Sequence, residues 1–294
     1  MLNVLLTGGS GFIGKNTQES FLAQKYRILA PRHAELDLLD EECVRRYFAD
    51  KTIDVVIHSA AKPGHRNVKD TSGVYYCNAR MFFNLVRNAD KFGKMINIGS
   101  GAVYDMRFYQ PKMKEEHFDT HVPVDESGFN KYTCYKYIER TENLVDLRVF
   151  GIFGKYEDYA IRFPSNMICK ALFGLPLTMR QNRRFDYVYI DDFMNVLDYF
   201  ISEKAAFTAY NVTPDSAIEL YEIARIVRDL AGGELPIVVA KEGMGLEYSG
   251  DNARLRKEMP GMRYQPISLA IEKLFSWYQQ NKAFLDMGLL AVDK

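Results

Sequence analysis

A glycine-rich run follows the first apolar segment of the chain. Val4, Leu5 and Leu6 predict a short buried strand, and a run from Thr7 to Gly14 comes directly after it. Glycines at this spacing permit a tight turn, a close approach of the backbone to a pyrophosphate, and close packing of the next helix on the strand. Phosphates would lie at the helix N-terminus, where free amides favour anions. The run therefore predicts a dinucleotide site made by Gly8, Ser10, Gly11, Phe12, Ile13 and Gly14.

Short apolar runs alternate with helical stretches in the first half of the chain. The predicted strands are 3–6, 27–30, 54–58, 94–98 and 147–150. This alternation favours an α/β fold with a Rossmann-type, doubly wound parallel sheet, which binds ligands where its strand order reverses. After about Gly154 the pattern predicts a smaller, mostly helical lobe. We expect a dinucleotide-binding domain at 1–155, rejoined by 185–213, and a substrate-binding lobe at 156–184 and 214–294.

Charge and cysteine spacing limit the other classes of partner. The formal net charge is zero, so there is no basic excess that would favour nucleic acid or an anionic membrane surface. The four cysteines lie far apart and show no metal-ligand spacing, so we expect reduced thiols and no metal. No apolar run reaches membrane-spanning length, and the chain opens on a strand rather than a signal peptide. These features predict a cytoplasmic protein.

The end of the second strand bears on the choice of cofactor. A carboxylate at this place would bond a ribose 2′-hydroxyl and favour NAD. This chain has Arg32 at that place, and an arginine could pair with a 2′-phosphate, so NADP is favoured. Glu35 is near enough to keep NAD possible. Asp37 and Leu38 are expected to contact the adenine.

Small residues end the third strand, at Ser59, Ala60 and Ala61. They would leave room for the middle of the cofactor.

A serine, a tyrosine and a lysine form the predicted catalytic group. Tyr132 and Lys136 are four residues apart and would share one helix face, while Ser100 follows the fourth strand. An ammonium and the positive nicotinamide would lower the pKa of the phenol by about three units, which takes roughly 4 kcal/mol. Lys136 would also hold the nicotinamide ribose, and Ser100 would orient the substrate oxygen. Asn78, on the preceding helix, would add a structural hydrogen bond or a water relay near the cofactor.

With these motifs the chain resembles the extended short-chain dehydrogenases/reductases, the NAD-dependent epimerase/dehydratase family, most of which act on nucleotide-linked sugars. The resemblance covers nearly the whole chain and includes the segments 98–104, 148–154 and 187–192. It implies a nucleotide-diphosphate sugar as the substrate. Where the family has a diphosphate-binding arginine this chain has Phe185, so Arg183 or Arg184, with Arg180 as a further candidate, is expected to serve. The same resemblance implies substrate contacts at Ser100, Tyr104 and Asn166.

Residues beside Ser100 narrow the expected reaction. Dehydratases of the family carry an acidic residue before Val103-Tyr104, whereas this chain has Gly101 and Ala102. Local motifs are nearest to those of GDP-fucose synthase-like 4-keto nucleotide-sugar reductases, but Ala102 and Tyr156 or Tyr159 stand where those enzymes have their epimerising Cys and His. We therefore favour NADPH-dependent reduction of a 4-keto-6-deoxy nucleotide sugar. A 4-epimerase with tightly bound NAD and a non-catalytic dinucleotide-sensing protein remain the alternatives.

Two further features concern the surroundings of the site. The segment 105–130 is long, aromatic and charged, and it is equally compatible with a flap over the sugar and with a solvated loop. If it is a flap, Glu115, Glu116, His117 and His121 would contact the sugar. The helix that bears Tyr132 must end near Asn143, which is early for the family, so the usual family dimer is expected to be weakened or replaced.

Overall fold

A six-stranded parallel sheet is the centre of the protein, which a computed structural model describes at residues 1–64 and 67–290. The strands in chain order are β1 (Asn3–Thr7), β2 (Arg27–Leu29), β3 (Ile53–His58), β4 (Phe92–Ser100), β5 (Leu144–Val149), β6 (Ile152–Phe153), β7 (Leu177–Asn182), β8 (Arg184–Phe185), β9 (Val188–Tyr189), β10 (Ala209–Val212), β11 (Ile218–Glu219) and β12 (Ile237–Met244). The sheet has the order β10-β5-β4-β3-β1-β2.

In the described part of the chain, ten α-helices cover the sheet and build the second half. They are α1 (Phe12–Glu19), α2 (Leu22–Lys25), α3 (Glu41–Ala49), α4 (Val74–Val86), α5 (Glu126–Ile138), α6 (Phe163–Leu172), α7 (Ile190–Ser202), α8 (Leu220–Leu230), α9 (Ala253–Glu258) and α10 (Ile267–Gln280). The α3 and α5 N-termini are capped by the carboxylates of Asp40 and Asp125, which accept hydrogen bonds from first-turn amides. Such caps fix where these helices begin.

Alternate residues of each strand enter two different hydrophobic cores. In β1, Val4 and Leu6 pack into one core and Leu5 packs into the other. The first core holds the apolar face of α7, and the second holds those of α3, α4 and α5. A parallel sheet with both faces covered needs largely apolar strands, and these strands meet that need apart from buried polar residues such as Asn97, Asp146 and Arg148. The prediction of a doubly wound α/β fold is confirmed.

The strand order reverses between β1 and β3. From β1 the chain adds β2 on one side, and then β3, β4, β5 and β10 on the other. Thr7 and His58 end the two central strands side by side. A crevice at such a reversal is where sheets of this type bind ligands.

The second half contributes its own short strands. β7 pairs with β12 and β8 pairs with β11, whereas β10 joins the central sheet beside β5. Helices α6, α8 and α10 pack on one another near these strands. β7, β12 and the helix α7 have no counterpart among the sequence-based expectations.

Helix α5 is shorter than the sequence indicated. It ends at Ile138 rather than near Asn143, so it continues for six residues after Tyr132. Residues Thr141 and Leu144 then turn into β5 through backbone hydrogen bonds. The early end follows from the short connection to Leu144, which leaves no room for another turn of helix.

Candidate active site

The glycine turn is held so closely that two of its positions exclude a side chain. Gly8 has a φ of +72°, and a Cβ there would lie 2.7 Å from the backbone nitrogen of Ala60. A Cβ on Gly14 would lie 2.2 Å from the carbonyl oxygen of Gly8 and 2.6 Å from the Cα of Gly9. The turn and helix α1 are therefore pressed together as the sequence predicted for a dinucleotide site.

The N-terminus of α1 faces solvent from this turn. Ser10 and Gly11 are exposed, and Phe12 and Ile13 are half-buried. Gly11 has an extended backbone and no side chain caps the helix. Unbonded first-turn amides attract phosphate oxygens, so this end of α1 fits the pyrophosphate of a dinucleotide.

Hydrogen bonds tie the ends of β1 and β3 together beside the turn. Thr7 Oγ1 meets His58 Nδ1 at 2.9 Å, and Ser59 Oγ donates to the Thr7 carbonyl at 2.7 Å. Ala60 is half-buried against Gly8, and Ala61 is exposed. This floor is rigid and lined by small side chains, which suits the middle of an extended cofactor.

The loop after β2 presents both a cation and a carboxylate. Arg32 is exposed, and its backbone N–H donates to Glu35 Oε2 at 2.8 Å. Asp37 Oδ1 accepts from the amide of Leu39, while the Leu38 side chain is buried in a core. Leu38 can therefore reach a bound adenine only through its backbone. The Arg32 guanidinium remains available to a 2′-phosphate.

Asn78 secures the loop that follows β3. Its Oδ1 accepts from the Lys62 amide at 2.7 Å, and its Nδ2 donates to the Lys62 carbonyl at 3.0 Å. Both amide atoms are therefore used in shaping the edge of the crevice.

Ser100 is the last residue of β4 and is half-buried. Its Oγ accepts from the amide of Ala102 at 3.1 Å. The hydroxyl of Tyr248, a residue from the C-terminal part of the chain that sequence reasoning did not single out, lies against the next residue, since a Cβ on Gly101 would be 2.6 Å from Tyr248 Oη. The hydroxyl is thus fixed at the carboxyl end of the sheet.

Tyr132 and Lys136 share one face of α5, as predicted, but that face meets the 105–130 segment. Tyr132 Oη donates to Asp119 Oδ1 at 2.5 Å, and Lys136 Nζ lies 3.0 Å from Asp119 Oδ2 and 2.7 Å from Glu139 Oε1. Phe118 stacks on the Tyr132 ring. The structure therefore groups these two residues with Asp119.

The residues around Tyr132 do not lower the pKa of its phenol in this structure, so the acidification expected with a bound nicotinamide stays a prediction. The hydrogen bond to the Asp119 carboxylate raises the pKa of Tyr132, and Lys136 opposes that change only weakly. A nearby negative charge disfavours the phenolate. The catalytic role of the pair remains a prediction that requires Asp119 to move.

Lys131 is the lysine that points to the carboxyl end of the sheet. Its Nζ donates to the carbonyl oxygen of Ile98, in β4, at 2.8 Å. Burial, and secondarily the Lys131 charge, lower the pKa of His58, at the end of β3, to about 3. Lys131 is half-buried, and the position four residues before it holds the exposed Ser127. In the sequence, Lys131 is preceded four positions earlier by Ser127, whereas Lys136 is preceded at the same spacing by Tyr132. Because the expected pattern has a tyrosine at this spacing, Lys131 was not predicted from the sequence.

The predicted substrate residues have mixed surroundings. Tyr104 is 3% exposed, and its hydroxyl donates to Asn211 Oδ1 and accepts from Arg148. It is therefore packed in the interior and does not face a cleft, contrary to the predicted contact with the substrate. Asn166 is half-buried and donates to the carbonyls of Tyr159 and Ala160. Its amide shapes the loop before α6.

Three arginines lie close together in the chain: Arg180 on β7, Arg184 on β8, and Arg183 between the two strands. Arg180 is exposed, and Arg184 is exposed with Glu219 at 3.7 Å. Arg183 lies over the ring of Phe185 at 5.4 Å. Two of these guanidinium groups are therefore open to an anionic ligand.

The 105–130 segment is anchored at a few residues, while most of its other side chains are exposed. Glu115 is buried and accepts from the Asn211 amide at 2.7 Å, and Glu116 pairs with Arg254 at 2.6 Å. His117 Nε2 meets Gln110, and His121 stacks on Phe108. In the described part of the chain, no group of three metal-ligating side chains is placed to hold an ion. No described helix is long and apolar enough to cross a membrane.

Comparison with known proteins agrees with this geometry. A family model described as "NAD dependent epimerase/dehydratase family" matches residues 4–213, more than half of the chain. The chain belongs to the NAD dependent epimerase/dehydratase family. The predicted resemblance and the prediction of an enzyme are confirmed, and the non-catalytic alternative is removed.

Individual relatives in the epimerase/dehydratase family are distant. The chain is 32% identical over 105 residues to GDP-L-fucose synthase of Azorhizobium caulinodans, a match covering 34% of each protein. It is 22% identical over 300 residues to GDP-L-colitose synthase of Yersinia pseudotuberculosis, covering 98% of this chain and 96% of that one. A GDP-mannoheptose C4 reductase from Campylobacter jejuni with NADP bound has a TM-score of 0.80 at 17% identity, with 95% and 98% coverage. At this identity the structural likeness shows the fold.

Proposed function

We propose that the protein is an NADPH-dependent reductase of a 4-keto-6-deoxy nucleotide sugar. The family name covers epimerases and dehydratases, so the reaction has to be argued from the site. The observation that carries the proposal is the turn after Ser100, where Gly101 and Ala102 stand in a 3-10 turn. Neither side chain can move a proton, so neither loss of water nor inversion at carbon has a catalyst there. Hydride delivery to a keto group needs neither residue.

The residues at the carboxyl end of β4 have defined tasks in this proposal. Reduction adds a hydride to the carbonyl carbon and a proton to its oxygen; bound NADPH would supply the hydride, and solvent water would supply the proton through the Ser100 hydroxyl. Ser100 donates a hydrogen bond to the substrate oxygen. Lys131, whose ammonium lies at the ends of β3 and β4, bonds the hydroxyls of the nicotinamide ribose. Its positive charge also favours negative charge on the oxygen as the carbonyl is reduced.

In this proposal each half of the chain binds a different ligand. The turn from Gly8 to Gly14 holds the pyrophosphate, and Arg32 holds the 2′-phosphate of NADP. Residues 156–184 and 214–294 bind the nucleotide sugar, with Arg180 or Arg184 on its diphosphate. Names of the relatives support a nucleotide-linked sugar, because those proteins are named for GDP-sugars.

Cofactor turnover tests the reaction. The purified protein is incubated with NADPH and a 4-keto-6-deoxy nucleotide sugar, and NADPH absorbance and sugar product are measured together. We expect one NADPH consumed for each sugar reduced. Conversion of a nucleotide sugar without net NADPH loss would instead establish the 4-epimerase with tightly bound NAD, and binding without turnover would contradict both reactions.

Two lysine variants separate the competing assignments of the site. Lys131→Met is expected to weaken NADPH binding by about tenfold or more, since it removes an ammonium from the crevice. Lys136→Met, on the same helix, is the matched control and should change the NADPH Kd by less than about twofold. The opposite pattern, together with loss of turnover in Tyr132→Phe, would assign catalysis to Tyr132 and Lys136. Binding is measured by quenching of Trp277 fluorescence or by calorimetry.

A further inference from the structure

The first turn of helix α5 lies against the end of β4. Because α5 connects the parallel strands β4 and β5, it runs opposite to them and begins at the carboxyl edge of the sheet. Lys131 Nζ donates to the carbonyl oxygen of Ile98 at 2.8 Å. Nearly one turn earlier, a Cβ on Gly128 would lie 2.7 Å from the carbonyl oxygen of Ala102. The beginning of α5 therefore touches the turn that directly follows Ser100.

Ser127 shares the face of α5 that carries Lys131. Two residues four apart on a helix point about 40° from each other and lie about 6 Å apart along its axis. In β4, Ser100 lies two residues beyond Ile98, which is about 7 Å along an extended strand. Counted from the contact between Lys131 and Ile98, these two steps run in the same direction. They place Ser127 level with Ser100 at the carboxyl edge of the sheet.

The Ser127 hydroxyl is open to solvent. The helix N-terminus is capped by Asp125, which accepts from the amide of Gly128, so the serine is not needed as a cap. In the described part of the chain, no residue hydrogen-bonds the Ser127 side chain, and the residue is exposed. Ser100 is half-buried, and its Oγ accepts from the amide of Ala102. A serine hydroxyl both donates and accepts, so Ser127 can bind water at the exposed side of this site.

We propose that Ser127 is a positioning residue for the supply of the proton: its hydroxyl holds the solvent water from which Ser100 recovers its proton. This inference rests on the proposed reductase function. The hydride forms the new bond to the carbonyl carbon, and the π electron pair of the carbonyl moves onto its oxygen. That oxygen takes the proton of Ser100, Ser100 takes one from the water, and the solvent buffer neutralises the hydroxide that is left. The nearby ammonium of Lys131 favours the negative oxygen during this transfer.

The test removes the Ser127 hydroxyl and then restores it. Ser127→Ala is expected to lower kcat about tenfold while KM for the keto sugar and the Kd for NADPH stay within about twofold, since only the proton supply is impaired. Ser127→Thr keeps a hydroxyl and should retain kcat within about threefold. Tyr137→Phe is the control, because it removes a hydroxyl from the face of α5 that meets Phe82 and Phe83. It should leave kcat unchanged.

A double variant shows whether Ser127 acts through Ser100. If it does, Ser127→Ala has no further effect in a Ser100→Ala background, where single-turnover NADPH oxidation is measured. A tenfold loss in both backgrounds, an equal loss in Ser127→Ala and Ser127→Thr, or a wild-type kcat in Ser127→Ala overturns the inference while the wild-type enzyme still reduces the sugar. A wild-type protein that oxidises no NADPH with any 4-keto nucleotide sugar overturns the proposed function, and the inference with it.

Discussion

Lys131 and Lys136 stand five residues apart on α5 and meet different charges. Lys136 is paired with two carboxylates, those of Asp119 and Glu139, which neutralise its charge locally. Lys131 instead donates to a neutral carbonyl, and burial keeps its neighbour His58 uncharged. Among the described residues Lys131 makes no ion pair within 4 Å, although its charge acts on the nearby buried carboxyl of Asp146. An ammonium outside an ion pair at the mouth of a crevice attracts polar and anionic ligand groups more than a paired one. This difference is why we assign the cofactor to Lys131.

Arg32 is the residue through which the proposed preference for NADP can be measured. Its guanidinium is exposed while its backbone is held by Glu35, so it can pair with a 2′-phosphate. Arg32→Ala is expected to raise the Kd of NADPH about tenfold and that of NADH less than about twofold, because one charge-assisted bond is worth roughly 1.4 kcal/mol here. Titration of both cofactors into Arg32→Ala and into the control His33→Ala checks this. Equal weakening of both cofactors would speak against NADP.

Glu157 gives the protein a pH-dependent stability. The residue is 6% exposed, its carboxyl accepts from Ser165, and burial raises its pKa from 4.5 to about 8. An acid whose pKa is higher in the folded state loses its proton more readily when unfolded. Its contribution is therefore present below about pH 4.5 and is lost as the pH rises towards 8, by up to about 5 kcal/mol.

Glu157→Gln should remove this dependence, because glutamine resembles the protonated acid. We expect the thermal midpoint of the wild type to fall between about pH 5 and pH 9, and that of the variant to fall less. Thermal denaturation followed by circular dichroism measures both. Glu126→Gln, an exposed position, is the control. Parallel curves for the wild type and Glu157→Gln would rule out the buried carboxyl as the cause.

At the level of elements, the turn between β1 and α1 is the least tolerant part of the site. A methyl group on Gly14 would collide with backbone atoms of Gly8 and Gly9, which cannot rotate away. Gly14→Ala is expected to cost roughly 2 kcal/mol of folding free energy and to weaken NADPH binding by more than about tenfold, since the turn must shift. Lys15→Ala, one residue further on and exposed, should do neither. Chemical denaturation and cofactor titration test the pair.

The strands and the glycine turn could be predicted from the sequence because local signals specify them. All five predicted strands of the central sheet exist, with ends shifted by a few residues, since apolar runs bounded by turns mark them. The pairing of β7 with β12 joins residues about sixty positions apart, and nothing local encodes it. The predicted helix α5 exists, but it ends at Ile138 and not near Asn143 as predicted.

The choice between neighbouring residues on α5 lay beyond the sequence. Positions 131 and 132 point about 100° apart on a helix, so one can face the sheet and the other its flank. Only tertiary packing sets the rotation: Cys134 and Ile138 turn into the core and carry Lys131 inward with them. The path of the 105–130 segment was equally hidden, because Asp119 reaches Tyr132 through a φ of +69° that no sequence rule predicts at an aspartate.

At the scale of the whole molecule, the 105–130 segment joins the sheet to the C-terminal half. Met113 pairs with Gly250, and the Lys112 amide donates to Ser249 Oγ. Glu115 bonds the Asn211 amide of β10 while Glu116 pairs with Arg254. Because these contacts come from the same few residues, a shift of the C-terminal half would reach Tyr109, whose hydroxyl donates to the Gly101 carbonyl beside Ser100.

If the two halves of the chain bind different ligands, as proposed, mutations can weaken the binding of the nucleotide sugar and of NADPH separately. Arg180→Ala and Arg184→Ala remove guanidinium groups that are open to an anion, one on β7 and one on β8. At least one of them is expected to raise KM for the nucleotide sugar about tenfold, since a charge-assisted bond to a phosphate is lost, while the NADPH Kd stays unchanged. Arg32→Ala should show the reverse.

Steady-state kinetics and cofactor titration of the three variants decide the matter together. Arg225→Ala is the control for a general loss of charge, because Arg225 is exposed and pairs with Glu222 at 2.7 Å. Weaker NADPH binding in Arg180→Ala or Arg184→Ala would mean that both ligands share one basic surface. An unchanged KM in both variants would show that the substrate diphosphate does not bind at Arg180 or Arg184. The substrate would then have to be bound by the residues around Ser100 alone.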